Sequence, residues 1–473
     1  MFIFMKLPPN RIFLFWAIIA NIALALYLYK FVFSFYFFQD DWFDLNITRV
    51  TSVSDYLNFF KFRDNFIAWR PLALQNFFFL LQSIFGLNAF AYRILNFAIL
   101  AFTYLLVVKA AYLFTGNKIA GLLAGGLWIT SSIHFMNLAQ INYNLIGTLF
   151  YTAAFIGFLK ARYVFSFVLF LLALGSFELA VTWPALTAFY CWYIKETRAK
   201  TVAKKLFPYL LAAAIYMVAR QIYVNPPKIT EYEIAFNFDS IKAFFWYILW
   251  TFNVPEEFKK QIAKNLIIFE GIFLRDYWLL VFKSFVGVTA FVLLAAVLPF
   301  YKLVRNHRFN SQTAKLVVFG LVWFLTAISP VLLLPNHNFI MYLTLPSIGI
   351  FTAIACLLVL SKDKSLIILS VLIWIFLSAT TLNFYRTNSY TQESQKTSKK
   401  FAQEITTRLP FLPANSVVFY PLSYRQETQS LLEQNAIQAL YGDTSLSIYY
   451  NKEDLLSSLQ FLQGRLVYMV APQ

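Results

Sequence analysis

Charge and cysteine are scarce in this chain. Only 13% of its 473 residues are Asp, Glu, Lys or Arg, about half the share usual in soluble domains. Hydrophobic residues make up 60% and aromatics 20%. So many apolar side chains cannot hide in one water-soluble core, which excludes an ordinary soluble enzyme and calls for a bilayer. The two cysteines, Cys191 and Cys356, both sit inside apolar runs, with no C-x-x-C and no Cys/His ligand spacing. Neither a disulfide framework nor a zinc site is expected. Acid is scarcer than base, 22 against 39, leaving a net charge of +17. That excess would suit nucleic acid if it formed one surface, but its distribution follows a membrane topology. No internal repeat or low-complexity tract is present.

A span needs about 20 apolar residues. Eleven stretches qualify, near 12–36, 90–114, 119–137, 143–160, 163–177, 179–194, 206–224, 278–301, 316–334, 339–360 and 365–385. Lys6 and Arg11 precede the first, as in a signal peptide. Its apolar run continues to Phe38, past the usual 7–15-residue core, with no A-x-A site after it, so it reads as a retained span. Lys30 lies inside that run and requires snorkelling or an earlier end to the span. Two shorter stretches, 72–86 and 241–253, carry Gln75, Asn76, Gln82, Lys242 and Asn253 and read as interfacial helices.

With the N-terminus in the cytoplasm, the inner segments are 1–11, 115–118, 160–162, 195–205, 302–315 and 361–364. They hold sixteen Lys or Arg against two acids, Glu196 and Asp363. This asymmetry is what the positive-inside rule predicts, and it absorbs fourteen of the seventeen net charges. No nucleic-acid partner is expected. The outside then comprises two long loops, 37–89 and 225–277, and a polar C-terminal segment. The expected architecture is an all-α polytopic domain over 1–385 followed by a small extracytoplasmic α/β domain over 386–473. In the latter, Val417–Tyr420, Leu446–Tyr450 and Leu466–Val470 read as strands, and Gln426–Leu440 and Glu453–Leu462 as helices.

The outer loops hold the residues that suggest chemistry. Asp40 and Asp41 adjoin Trp42 and Asp44 at the mouth of the first span. Adjacent carboxylates there can act as a general base or ligate a divalent cation through oxygen. Arg63 and Asp64 follow, then Arg70 in Trp69-Arg70-Pro71-Leu72 and Arg93 in Tyr92-Arg93-Ile94-Leu95-Asn96. Both of these arginines lie where a guanidinium can grip phosphate or simply anchor a helix. Glu178, in a short turn amid apolar surroundings, is functional by default, or else a structural partner for Arg93 or Arg220. Arg220 lies near the outer end of its span, and His337 and Tyr342 in or beside an outer turn. Asp40, Asp41, Arg70, Arg93, Glu178, Arg220 and His337, spread over about 300 residues, fall on one face of a topology fixed by other residues.

The order Asp40-Asp41-Trp42, Trp69-Arg70-Pro71-Leu72 and Tyr92-Arg93-Ile94-Leu95-Asn96, with Phe177-Glu178, Arg220 and Pro335–Ser347 later, resembles the GT-C superfamily of polytopic glycosyltransferases. That superfamily includes the protein O-mannosyltransferases and the aminoarabinose transferase of lipid A. The resemblance covers roughly residues 1–385. It implies a polyprenyl-phosphate sugar donor and Asp40 or Asp41 as the base on an acceptor hydroxyl. It also implies Arg70, Arg93, Arg220 and His337 at the donor phosphate, and Trp42, Tyr342 and Asn144 at the substrates. Many members carry another acid before the fourth span; here Gln140-Ile141-Asn142-Tyr143-Asn144 supplies amides. This weighs against a metal and points to Glu178 as the second acid. If a divalent cation (Mg or Mn) takes part, Asp40 and Asp41 are its expected ligands.

The expected function is therefore a membrane glycosyltransferase with an inverting mechanism, moving a hexosyl or pentosyl group to an acceptor glycan, lipid or protein. The expected location is a plasma membrane, the inner one in a bacterium. Three other readings share the composition: a polysaccharide polymerase or ligase, a transporter of lipid-linked substrate, and a membrane protein whose outer domain binds a partner. A transporter should show inverted repeats and polar residues at mid-bilayer, whereas these lie at one face.

Overall fold

The computed structural model describes residues 11–62, 68–140, 143–224, 230–261, 271–307, 309–422, 425–458, 460, 462 and 464–470. Lys6, Arg63, Asp64, Ile141 and Asn142 lie outside the described residues, as do parts of the 225–277 loop. All eleven apolar segments contain helix, but they are not eleven full-length spans. Among the described residues, six helices are long and apolar enough to cross a membrane: Arg11–Ser34, Ala89–Thr115, Ala199–Tyr223, Phe273–Arg305, Ser311–Leu332 and Lys364–Arg408. The pair Lys118–Ile129 and Ser132–Ala139, bent by 51°, makes a seventh if taken as one span. Tyr143–Leu159, Tyr163–Leu174 and Ser347–Ser361 are shorter. The stretch 178–194 is divided into the 3-10 turn Glu178–Thr182, the α-helix Trp183–Phe189 and the π-helical turn Tyr190–Ile194. Apolarity alone does not separate a spanning helix from one buried among its neighbours. The chain is an integral membrane protein.

Local sequence explains the ends. Gly116 takes the left-handed conformation that closes Ala89–Thr115. Asn117 then caps the next helix, its side-chain oxygen accepting from the N–H groups of Ile119 and Ala120. Asp363 caps Lys364–Asn388 in the same way. The first helix ends at Tyr29, and Lys30 begins a 3-10 turn with its Nζ 4.5 Å from the Tyr27 ring. The span thus ends earlier than its apolar run. The two shorter apolar stretches are helical, as Pro71–Asn76, a π-helical turn continued by Phe77–Phe85, and as Phe238–Thr251.

The C-terminal segment opens with the helix Tyr390–Arg408. Strands β1 (Val417–Phe419), β2 (Ser447–Tyr449) and β3 (Val467–Met469) form a parallel sheet in the order β2-β1-β3. The single helix expected over 426–440 is two, Arg425–Leu431 and Asn435–Tyr441, because Leu432 and Glu433 both take positive φ and turn the chain between them.

This segment is fastened to the 37–89 loop. Trp42, Leu45, Phe78, Tyr92, Phe401, Ile405, Val418 and Ile437 share one buried cluster, separate from the main helical core. The Trp42 indole N–H donates to Ser398 at 2.7 Å. Arg49 donates to the carbonyls of Gln438 and Ala439 at 2.7 Å each, where a helix end welcomes positive charge. The helix carrying Asp40 and Asp41 is thereby held from both sides.

Candidate functional site

Asp40 and Asp41 open the helix Asp40–Ile47. The residue before them, Gln39, sits at φ 51°, a conformation that costs a non-glycine residue energy and turns the chain sharply out of the first span. Its N–H donates to the Ser430 carbonyl at 2.9 Å. Adjacent positions on a helix point about 100° apart, so the two carboxylates diverge. Asp41 turns inward and meets Arg93, Nη2 to Oδ2 at 2.7 Å, with side chains 1% and 0% exposed. The same Nη2 donates to the Tyr36 carbonyl at 3.0 Å. Arg93, expected at the donor phosphate, is instead a buried clamp on Asp41.

Asp40 stays exposed, yet its surroundings are dense. Burial, then the Asp41 charge, raise its pKa, while Arg70 works the other way. One turn on, Asp44 is buried and its pKa is raised well above the usual range, by burial and then by Asp40 and Asp41. Asp44 belongs to the acid run in the sequence and had been assigned no role.

Arg70 precedes the helical turn Pro71–Asn76. Its Nε donates to both oxygens of Glu178, at 2.8 and 3.0 Å, and its guanidinium carbon stacks 3.2 Å from the centre of the Tyr143 ring. The structural partner of Glu178 is therefore Arg70, with Arg220 within electrostatic reach and Arg93 elsewhere. Burial opposes ionisation of Glu178, but Arg70 and Arg220 outweigh it and hold the carboxyl below its ordinary value. For Arg70, the loss of solvation is more than offset by Glu178, so its charge is permanent. Glu178 is placed by a close approach. A side chain at Gly147 would lie 2.3 Å from the Phe177 Cβ, so only glycine lets the Phe177–Glu178 turn press against the helix Tyr143–Leu159.

The remaining candidates surround this pair. Tyr342 is hydrogen-bonded to Tyr143. The His337 ring lies 4.7 Å from Tyr232 and 4.8 Å from Phe339, between centroids. Burial and the Arg70 charge lower its pKa to about 4, so at neutral pH it offers hydrogen bonds rather than charge. Its Nδ1 is buried without a hydrogen-bond partner among the described residues. Asn144 is buried, donating to Asn137 Oδ1 at 3.4 Å. Trp42 faces the C-terminal cluster already described. The structure thus brings together Asp40, Arg70, Glu178, Arg220, His337 and Tyr342, sets Asp41 and Arg93 behind them, and gives Trp42 an anchoring position.

A second acidic pair went unassigned in the sequence. Glu256 and Glu257 follow Val254-Pro255 at the end of Phe238–Thr251, as Asp40 and Asp41 follow the first span. That shared pattern was the available signal. Glu256 Oε1 accepts from the Ile340 N–H at 3.1 Å, and its own N–H donates to the Tyr385 hydroxyl at 3.0 Å. Glu257 Oε2 is buried without a hydrogen-bond partner among the described residues. Tyr390 lies within electrostatic reach of both glutamates and of Asp40, so the two acidic pairs lie near one side chain. Among the described residues, no three His, Cys, Asp or Glu side chains gather as metal ligands, and Asp41 already commits Oδ2 to Arg93.

Burial raises Glu256 to about 7, with Lys260 and Lys259 opposing, and raises Glu257, pushed further by Glu256, to about 8. The folded state then holds more protons than the unfolded one above the ordinary value of 4.5. Stability from this pair is complete below that pH and is lost as pH rises through 7 to 8. Melting of the purified protein between pH 5 and 9 should show this alkaline loss, and Glu257→Gln should flatten it. An unchanged alkaline limb in that variant would remove Glu257 from the account.

No family model and no curated protein matches the chain. Among solved structures it is similar to the crystal structure of ArnT from Cupriavidus metallidurans bound to undecaprenyl phosphate, at 11% identity, over 95% of this chain and 89% of that one, with a TM-score of 0.44.

Proposed function

We propose that the protein transfers a sugar from a polyprenyl-phosphate donor to an acceptor hydroxyl at the extracytoplasmic face of the membrane, inverting the anomeric centre. One observation carries the reading: an exposed carboxylate, Asp40, lies within electrostatic reach of Arg70, which pairs with Glu178 near Arg220, while the neighbouring acid is locked away by Arg93. Asp40 takes the proton from the acceptor oxygen, which attacks the anomeric carbon. The bond from that carbon to the phosphate oxygen breaks, its electron pair leaving with the lipid phosphate. Arg220 and Arg70 stabilise the charge developing there, preorganised in a site of low polarity. Glu178 holds Arg70 in place rather than acting on the substrate. His337 and Tyr342 supply hydrogen bonds, and the step is written without a divalent cation.

Incubating purified protein with a panel of radiolabelled polyprenyl-phosphate sugars and membrane extract as acceptor tests this. Label should leave the lipid fraction for at least one donor. Retention of label across hexosyl and pentosyl donors would refute the proposal.

A further inference from the structure

An open groove lies away from these residues, between the helices Gly271–Val292 and Lys364–Asn388, with a volume of about 530 Å³. The helices are closest deep in the bundle, where a side chain added at Gly287 would sit 2.6 Å from Leu377 Cδ2. Above that contact they part. Tyr277, with φ −125° and ψ 16°, breaks the first helix near its start. The Asn388 side-chain amide donates to the Tyr277 hydroxyl at 3.0 Å, roofing the gap.

The lining is polar in a way the membrane does not favour. Lys283 projects from one wall and Thr380, Asn383 and Thr387 from the other. Lys283 lies seven residues into the helix from Asp276, roughly 10 Å along its axis. Among the described residues it has no ion-pair or hydrogen-bond partner. A cation at such a depth is costly and calls for an anionic partner. The one acid lining the groove, Asp276, is bound to Arg275 at 2.8 Å. Arg386 adds positive charge at the rim, donating to Asn383 Oδ1 at 2.9 Å. Beside the groove, Trp278, Phe282, Leu372 and Phe376 are exposed apolar side chains.

We propose that this groove binds an anionic membrane phospholipid. Its phosphate meets Lys283 and the hydroxyl and amide groups opposite, while its acyl chains lie along the apolar flanks. The site is independent of the transferase reading, because no residue of the acidic cleft lines it. A phospholipid fits better than a soluble phosphate, since the groove opens along two membrane-spanning helices.

Full-length protein in detergent, titrated with phosphatidic acid and followed by native mass spectrometry, tests the assignment. Wild type should retain phosphatidic acid in preference to phosphatidylcholine. Lys283→Gln should lose roughly tenfold or more in affinity, in line with a charge-assisted hydrogen bond, and Lys283→Arg should keep most of it. Thr380→Trp fills the groove without altering charge and should also abolish retention, with melting unchanged. Equal retention of phosphatidylcholine, displacement by millimolar inorganic phosphate, or undiminished binding in either Lys283→Gln or Thr380→Trp would overturn the proposal.

Discussion

Asp40→Asn should lower sugar transfer by roughly 10²–10⁴-fold, the contribution of a positioned general base, while the melting temperature stays that of the wild type. Asn keeps the shape and the helix N-terminal position of Asp40 but cannot take a proton. The side chain is exposed and, among the described residues, has no ion-pair partner with N···O within 4 Å, so its loss leaves no described cation buried without its partner. Burial and the neighbouring Asp41 raise its pKa, bringing it nearer to the pH at which a base works best. Release of label from the active donor, measured alongside thermal unfolding, reads both quantities. Wild-type transfer by Asp40→Asn would remove Asp40 as the base, and a matching fall in melting temperature would make its role structural.

Much of the scaffold was readable because hydrophobicity and charge act locally. Every expected apolar segment became helix, and the three short strands fell within a residue or two of their expected places. The number of crossings was not readable. Tyr143–Leu159 and Ser347–Ser361 are as apolar as the longer helices, and it is where the helix stops, not its apolarity, that separates the two cases. The short helices at 425–431 and 435–441 have the period of one helix; the break depends on two left-handed residues that carry no glycine signal.

The site was legible as a set of residues and illegible as a set of partnerships. Glu178 is 108 residues from Arg70, and Arg93 is 52 from Asp41. Composition can place four such groups at one face, but only the fold decides which charges cancel. The sequence offered three arginines to the donor phosphate. The structure pairs Arg93 with Asp41 and Arg70 with Glu178, and Glu178 also feels the charge of Arg220. Glu256 and Glu257 follow a helix too short and polar to read as a span, although its end repeats the pattern of paired acids found at Asp40 and Asp41.

Asp41→Asn and Arg93→Met should each destabilise the protein by about 3–5 kcal/mol, the usual cost of leaving a buried charge without its partner. In Asp41→Asn the guanidinium loses its counter-charge and keeps neutral acceptors alone, and its Nε and Nη1 already lack hydrogen-bond partners among the described residues. The double variant Asp41→Leu with Arg93→Met should recover most of the loss, because an apolar pair of similar volume avoids the desolvation that the ion pair only just offsets. Thermal unfolding of wild type, Asp41→Leu, Arg93→Met and the double variant closes the cycle, and additive single effects would show that the pair does not act as a unit. The recovered double variant also separates the two aspartates in function. It should retain transfer, and its acid limb should move to lower pH, because one of the charges that raises the Asp40 pKa is gone. Loss of transfer in a double variant that melts like wild type would place Asp41 in the chemistry and make Asp40 its neighbour.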